Sequence, residues 1–195
     1  MKILISLPNS KSSERFPMKN KILAQYTIHW LESELISIED EHQIEIVEIV
    51  SDVTPEKVTH YTDYKVPVEI SCNHKAILQH THDAFSPDIH IHLQLTNYKR
   101  RKGLLRDSID ALMNSSADVV SSYVEWLDDY TWREIKNNKF NNTLRSNEFK
   151  KFYDGSIYTF KEPSSVFDMT SEWLFIFNRK APVCDVDYSI QYFGY

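Results

Sequence analysis

Residues 2–7, Lys-Ile-Leu-Ile-Ser-Leu, form a run that is apolar at almost every position and stops at Pro8. A strand that does not alternate must be covered on both faces, and a parallel sheet between two layers of helices does this. The neighbouring segments obey that constraint. A polar loop from Asn9 to Asn20 carries Lys11, Arg15 and Lys19, and then Leu23, Tyr26, Trp30, Leu31 and Leu35 recur at helical spacing. After Glu39-Asp40-Glu41 a second β-rich run, Ile44 to Val50, ends at Ser51-Asp52. Strand, loop, helix and strand in this order build a parallel sheet with right-handed crossovers.

The pattern repeats. Val66 to Ile70 predicts a short strand and Lys75 to Phe85 a helix. Asp88 to Leu95 alternates, with Ile89, Ile91, Leu93 and Leu95 on one face and His90, His92 and Gln94 on the other. Gly103 to Ser115 predicts a helix with Leu104, Leu105, Ile109 and Leu112 as its apolar stripe, and Val119 to Val124 the next strand. Residues 125–152 are polar, rich in Asn and Lys, and weakly periodic, which predicts an excursion from the sheet, a flap or a dimer contact. Gly155 to Phe160 and Trp173 to Asn178 add two strands, and Asp185-Val186-Asp187 opens a short C-terminal segment. The expectation is one domain spanning 1–195, an α/β three-layer α/β/α sandwich of Rossmann-like type with a mostly parallel mixed sheet.

Composition narrows the function. A chain of 195 residues, 42% hydrophobic, can fill one sizeable core. Lys and Arg number 22 against 28 Asp and Glu, a net charge of −6, which argues against a protein that coats nucleic acid. No apolar run reaches the roughly 18 residues of a membrane helix, and Met1-Lys2-Ile3-Leu4 breaks too early for a signal peptide. A cytoplasmic protein with no membrane partner is expected, its Cys72 and Cys184 reduced thiols. Only three glycines occur, and neither GxxxxGK[ST] nor GxGxxG is present, so glycine-rich phosphate loops are excluded.

In an open α/β sheet, ligands sit at the carboxyl ends of the strands. The loop there, Asn9-Ser10-Lys11-Ser12-Ser13-Glu14-Arg15-Phe16-Pro17-Met18-Lys19-Asn20, offers three cations and three serines ahead of a helix. That suits a polyphosphate; it also suits a solvated surface loop.

Pro8 followed by Ser13, Arg15, Pro17, Lys19 and Asn20 resembles the signature loop of the sugar-acid cytidylyltransferases, the N-acylneuraminate and 3-deoxy-octulosonate enzymes, which runs roughly P-A-R-x-x-S-x-R-[LI]-P-x-K-N. The resemblance continues in chain order. Val50-Ser51-Asp52 resembles the T-D or S-D end of the family's second strand, Leu93-Gln94-Leu95-Thr96 its L-Q-P-T, and Asp118-Val119-Val120-Ser121-Ser122 its A-D-S-V-V-S-V. Asp154-Gly155-Ser156-Ile157-Tyr158 resembles N-G-A-I-Y, and Asp185-Val186-Asp187 the D-I-D near the C-terminus. Two positions depart: Ser10 stands where the loop has an arginine, with Lys11 the nearest cation, and Leu95 replaces the proline of L-Q-P-T.

The resemblance implies a nucleotidyltransferase fold, CTP and an acidic sugar as substrates, release of pyrophosphate, Mg²⁺ and a homodimer. Carried over, it implies that Asn9, Ser10, Lys11, Ser13, Arg15, Lys19 and Asn20 hold the nucleotide, that Arg15, Lys19 and Asp187 serve catalysis, that Gln94, Thr96 and Tyr158 face the sugar, and that Asp185 and Asp187 hold the metal. The departure at Ser10 also fits a degenerate member that binds a nucleotide or a partner without catalysis.

Each feature has a plainer reading as well. Asp185 and Asp187, at i and i+2, share one face of an extended segment, as a metal clamp requires; aspartates are also ordinary at a helix N-terminus. Ser51-Asp52 before Thr54-Pro55 reads as a turn. The run Lys99-Arg100-Arg101-Lys102 reads as a solvated loop or as a contact for carboxylate or phosphate. Tyr158, with Phe160, reads equally as a buried strand aromatic. His74, His80, His82, His90 and His92 fall within nineteen residues and suggest a zinc module. His80 and His82, about 200° apart on a helix, do not converge on one ion, however.

Overall fold

The computed structural model describes residues 1–9, 19–54, 56–127, 133–136, 139–142 and 149–180. In chain order these form β1 (Lys2–Pro8), α1 (Lys19–Leu35), β2 (Gln43–Val50), β3 (Thr62–Lys65), α2 (His74–Phe85), β4 (Ile89–Leu93), α3 (Leu104–Met113), β5 (Val119–Leu127), β6 (Arg133–Lys136), β7 (Lys139–Asn142), β8 (Phe149–Phe160) and β9 (Trp173–Lys180). Single 3₁₀ turns lie at Val68–Ile70 and Pro163–Val166. The sheet runs β3-β2-β1-β4-β8-β5-β9, with the β6–β7 hairpin set off from that path against β8. Along the path β8 pairs antiparallel with both of its neighbours, and the remaining pairs are parallel. This is the mostly parallel mixed sheet expected from the sequence.

The uninterrupted apolar run of β1 is explained by its position. Strand β1 lies between β2 and β4, and Ile3, Leu4, Ile5, Ser6 and Leu7 are all fully buried. Ile3, Ile5 and Leu7 pack with Ile89, Ile91 and Leu93 of β4 under Ala24, Ile28 and Leu31 of α1 and Leu105, Ile109 and Leu112 of α3. On the opposite face Leu78 of α2 packs with Val119 and Phe160, and Ile77 with Ile49 and Val66. Two helices cover one face and one covers the other.

Several local expectations change. The third strand is Thr62–Lys65, and Val66 to Ile70 becomes the turn beyond it. The Val66 amide still donates to the Val50 carbonyl at 2.8 Å, but Pro67 has no N–H with which to extend the ladder. In β4 all five residues are buried, so its alternation distinguishes two covered faces. In α1 Tyr26 is 48% exposed, while Thr27 and Glu34 are buried in its place. The sheet also reaches into both ends of residues 125–152, through Leu127 of β5 and from Phe149 of β8.

Glu34 explains how α3 begins. Its carboxylate accepts the Gly103 and Leu105 amides at 2.8 and 3.1 Å, satisfying N–H groups that a helix start leaves unpaired. Gly103 holds a φ of +80, which glycine adopts without strain. In β8 the residues Asp154 to Ile157 stand opposite the single Ser122 of β5, a bulge between the pairs Ser121–Tyr158 and Tyr123–Tyr153. Gly155 sits in that bulge at φ +59, where an added Cβ would meet the Tyr153 and Tyr158 hydroxyls.

Candidate functional site at the carboxyl edge of the central strands

Strand β1 delivers Asn9, 3% exposed, to the carboxyl edge of the sheet. Its amide N–H donates to Ile49 at 2.9 Å and its carbonyl accepts the Thr54 hydroxyl at 2.8 Å. The side-chain amide donates to Glu48 Oε1 at 2.6 Å and to the Glu56 carbonyl at 2.9 Å. Asn9 Oδ1 in turn accepts Asn20 Nδ2 at 3.0 Å, from the first turn of α1. Both donors of the Asn9 amide are thus spent inside the protein, and its part is to fasten. The residues flanking segment 10–18 are tied to each other and to β2.

Glu48 anchors this knot. It is fully buried, and besides Asn9 it accepts the Val58 and Thr59 amides at 2.9 and 2.6 Å and the Thr59 hydroxyl at 2.5 Å. Four donors on one buried carboxylate offset the loss of its hydration. Sequence reasoning missed this residue, although the signal was there: a carboxylate in the apolar half of β2, Val-Glu-Ile-Val, needs an internal partner. Nearby, Lys21 pairs with Glu56 at 2.9 Å.

The second wall comes from β4. The pairing of Ser6 with His92 brings Gln94 level with Pro8. Gln94 and Thr96, both half-buried, occupy a turn in which the Asn97 amide donates to the Gln94 carbonyl at 3.3 Å. Asn9, Lys19 and Asn20 at the junction of β1 and α1 therefore share one sheet edge with Gln94 and Thr96. Tyr158 does not join them. It pairs with His92, two residues deeper, and packs with Leu78, Val166 and Trp173 on the α2 face, where its hydroxyl accepts that of Tyr153. Burial, followed by the neighbouring Tyr158, holds the Tyr153 hydroxyl well above the usual phenol range. Asp52 is exposed in a turn closed by Thr54, whose hydroxyl accepts the Ser51 amide at 2.8 Å. Ser10, Lys11, Ser13, Arg15, Asp185 and Asp187 lie outside the described residues.

Two members of the cation run, Arg100 and Arg101, are engaged within the fold, while Lys102 is exposed. The Arg100 fork donates to the Ser156 carbonyl at 2.8 and 3.0 Å, to the Gln94 carbonyl at 2.6 Å and to the Thr27 hydroxyl at 3.1 Å, and lies over the Trp30 ring at 5.2 Å. Arg101 donates to the Phe177 carbonyl at 2.7 Å and pairs with Asp107. Beside them Asp154, 3% exposed, accepts Asn178 Nδ2 at 2.7 Å and the Ser122 hydroxyl. These residues stiffen the floor beneath the turn that presents Gln94 and Thr96.

The histidines form a row of their own. Ser6 Oγ lies 2.8 Å from both His90 Nε2 and His92 Nδ1, and His92 Nε2 lies 3.0 Å from His74 Nε2. His82 stacks on His90 with ring centroids 5.8 Å apart. Ser6, His90 and His92 are fully buried. A hydroxyl has one proton, so the row has a direction. If His90 donates to Ser6, Ser6 to His92 and His92 to His74, His90 Nδ1 is left as a bare acceptor with no partner among the described residues; the reverse order would bury an unmet N–H there. Burial, then the His82 charge, pushes His90 down to about 3. Burial, then His74, His90 and Arg100, holds His92 well below the ordinary imidazole value, and burial lowers His74. Among the described residues no group of three His, Cys, Asp or Glu side chains is placed to hold a metal ion.

No protein-family profile matches the sequence, and no curated protein does. Solved structures do match in fold. A CMP:2-keto-3-deoxy-manno-octonic acid synthetase complexed with CTP superposes with a TM-score of 0.64 at 12% identity, over 96% of this chain and 94% of the other. HddC from Yersinia pseudotuberculosis gives 0.64 at 10% identity, over 99% and 96%, and has also been solved complexed with GMP-PN. The 4-diphosphocytidyl-2C-methyl-D-erythritol synthase from Anaerococcus prevotii gives 0.56 at 10% identity, over 98% and 95%. At such identities the likeness establishes the α/β nucleotidyltransferase fold, and no more.

Proposed function

We propose that this chain transfers CMP from CTP to an acidic sugar of the sialic-acid or 3-deoxy-octulosonate kind and releases pyrophosphate. One observation carries the reading. The landmarks of the sequence resemblance that fall among the described residues, Asn9, Lys19 and Asn20 on one side and Gln94 and Thr96 on the other, meet at the carboxyl edge of the adjacent strands β1 and β4. A synthetase that binds CTP on the same fold supports it.

In this reading a sugar hydroxyl oxygen attacks the α-phosphorus, the bond to the β-phosphate oxygen breaks, pyrophosphate leaves, and the hydroxyl proton passes to solvent. Two anions must approach, so catalysis is mainly positioning and charge stabilisation. Ser10, Lys11, Ser13, Arg15 and Lys19 would hold the triphosphate, with Asn9 and Asn20 fastening the ends of their loop. Gln94 and Thr96 would bind the sugar acid, with Tyr158 backing that pocket from behind His92. Asp185 and Asp187 offer the hard oxygen donors that Mg²⁺ prefers, and no described cluster competes for the role. The ion, when bound, offsets triphosphate charge.

The test is pyrophosphate release with CTP, UTP, GTP and ATP against a panel of acidic sugars. Release with CTP and one sugar class is expected. Asp187→Asn should lower turnover by orders of magnitude while leaving the thermal midpoint near that of the parent protein. Release with GTP alone would overturn the choice of base, a real alternative because HddC has been solved with GMP-PN. Ser10, standing where the resembling family has arginine, favours a second reading, a nucleotide-binding member without catalysis. CTP binding with no pyrophosphate from any sugar would select it. The proposal includes a homodimer joined through residues 125–152, which a monomeric mass by light scattering at micromolar concentration would overturn.

A further inference from the structure

Five side-chain atoms among the described residues are buried without a hydrogen-bond partner: His42 Nδ1, the Tyr61 hydroxyl, His82 Nδ1, His90 Nδ1 and Asn97 Oδ1. A buried polar atom left unmet is rare in a folded protein and lowers its stability, so each calls for a reason. Of the five, Asn97 belongs to the turn that presents Gln94 and Thr96. It is 6% exposed. Its main chain already has a task, since the Asn97 amide closes the turn on the Gln94 carbonyl at 3.3 Å. The side-chain oxygen has none within the described protein.

The turn is not free to swing that oxygen elsewhere. Leu95, 2% exposed, anchors it in the core with Ala24 and Ile28 of α1. The Gln94 carbonyl also accepts the Arg100 fork at 2.6 Å, and Arg100 is itself fastened to Thr27 at 3.1 Å. Beyond the turn the loop follows α1. Tyr98 packs against Tyr26, Arg100 reaches Thr27, and the Arg101 carbonyl accepts Trp30 Nε1 at 2.9 Å. Loop and helix thus advance together, away from the sheet edge. Asn97 precedes that run, on the side of Lys19 and Asn20 at the start of α1. The unmet acceptor therefore belongs to the carboxyl edge at which the nucleotide and sugar landmarks meet.

We propose that Asn97 is a specificity-determining residue for the sugar, its Oδ1 accepting a hydrogen bond from a hydroxyl or an acylamino N–H of the acidic sugar; the proposal rests on the function proposed above. Ionised phosphate and carboxylate groups carry acceptors only, so neither the triphosphate nor the acid group of the sugar can meet this oxygen. A donor can, and the turn shared with Gln94 and Thr96 puts it on the side of the sugar. An amide also suits an anionic substrate, because it accepts a hydrogen bond without the full charge by which a carboxylate would repel it. The anchored turn holds the acceptor in place before the substrate arrives. A sugar with the donor satisfies the oxygen, one without it leaves the oxygen buried and unmet, and selectivity follows from the difference.

The experiment is steady-state pyrophosphate release from CTP with N-acetylneuraminate, 3-deoxy-octulosonate and their deoxyfluoro analogues, in which fluorine replaces one hydroxyl and removes its donor. An N-methylated acetamido analogue removes the acylamino donor in the same way. For the sugar that reacts, one analogue should fall about tenfold to a hundredfold in kcat/KM, the scale of a buried carbonyl left unpaired. That analogue identifies the donor. Asn97→Ala should raise the KM for the sugar by about the same factor, leave the KM for CTP unchanged, and no longer distinguish that analogue from the sugar. Its thermal midpoint should stay at or above that of the parent protein, because the unliganded protein loses an unmet acceptor and no bond. The assignment of Asn97 is overturned if every analogue reacts like its sugar, if Asn97→Ala keeps the selectivity, if the KM for CTP rises in place of that for the sugar, or if the midpoint drops by several degrees. Absence of pyrophosphate release from the parent protein with every sugar would overturn the proposed function, and this proposal with it.

Discussion

His90 and His92 occupy positions where charge has no outlet. Both are fully buried, both lean on the single hydroxyl of Ser6, and both are held neutral by burial, His90 down to about 3. In the unfolded chain the same imidazoles titrate near 6.5. Below that pH the unfolded state binds more protons than the folded one, so stability is fully present above about 6.5 and is lost as pH falls toward the folded values. Each such histidine contributes a slope of up to about 1.4 kcal/mol per pH unit. Thermal midpoints should be level between pH 7.5 and 6.5 and fall steeply between 6.5 and 5, a window in which exposed carboxylates are still ionised. A midpoint unchanged down to pH 5 would mean that the row accepts protons in the folded state. Much else at this scale was hidden from the sequence. The types at Asn9 and Asn20 were legible, but their bond to each other and to Glu48 was not, because it joins residues 11 and 39 positions apart. The cluster of histidines was legible; their burial on a central strand was not, since alternation in β4 does not say how many faces are covered.

At the scale of elements, α3 depends on a residue of α1. Gly103 has no side chain with which to cap the helix, and Glu34 supplies the acceptor instead, to two amides at once. Glu34→Ala should cost about 1–2 kcal/mol, the range of a lost cap beside a helix dipole. Gly103→Ala should cost about 1–2 kcal/mol through the positive φ alone. Urea unfolding at neutral pH reads both, and a loss below about 0.5 kcal/mol for Glu34→Ala would show that water caps α3 as well. Helices and strands of the central sheet were legible because the core imposes its period on them: the apolar stripes of α2 and α3 and the closed run of β1 all face packed layers. Strand β3 was misplaced for the opposite reason. Among the described residues Thr62–Lys65 pairs only with β2, and it keeps its side chains partly in solvent, so burial wrote no pattern there. The bulge in β8 was not legible: the sequence offered Gly155 to Phe160 as a plain strand, and the partners of Asp154, Ser122 and Asn178, lie far off in the chain.

The whole molecule is two pieces of sheet joined at one antiparallel strand. Strands β3, β2, β1 and β4 form a parallel half, β5 and β9 another, and β8 lies reversed between them. Backbone pairing alone leaves the angle between the halves to the twist of β8, which is interrupted by its bulge. Arg100 spans that weak place. It grips the Gln94 carbonyl after β4, the Ser156 carbonyl within the bulge and Thr27 of the covering helix, with Trp30 beneath its plane. Only a planar fork reaches three such acceptors; an ammonium on a flexible stem does not. Arg100→Lys should therefore lower stability by about 2–3 kcal/mol, the scale of lost charge-assisted bonds with carbonyls left unmet, and should speed amide exchange at the bulge of β8 more than at β1 or β2. Lys102→Ala, in the same loop and exposed, should stay within about 0.5 kcal/mol of the parent protein. If both variants unfold alike, the halves are held by strand pairing and packing alone. If only Arg100→Lys fails, the residue that orients Gln94 and Thr96 also sets the two halves of the sheet, and the geometry of the candidate site is coupled to the integrity of the whole fold.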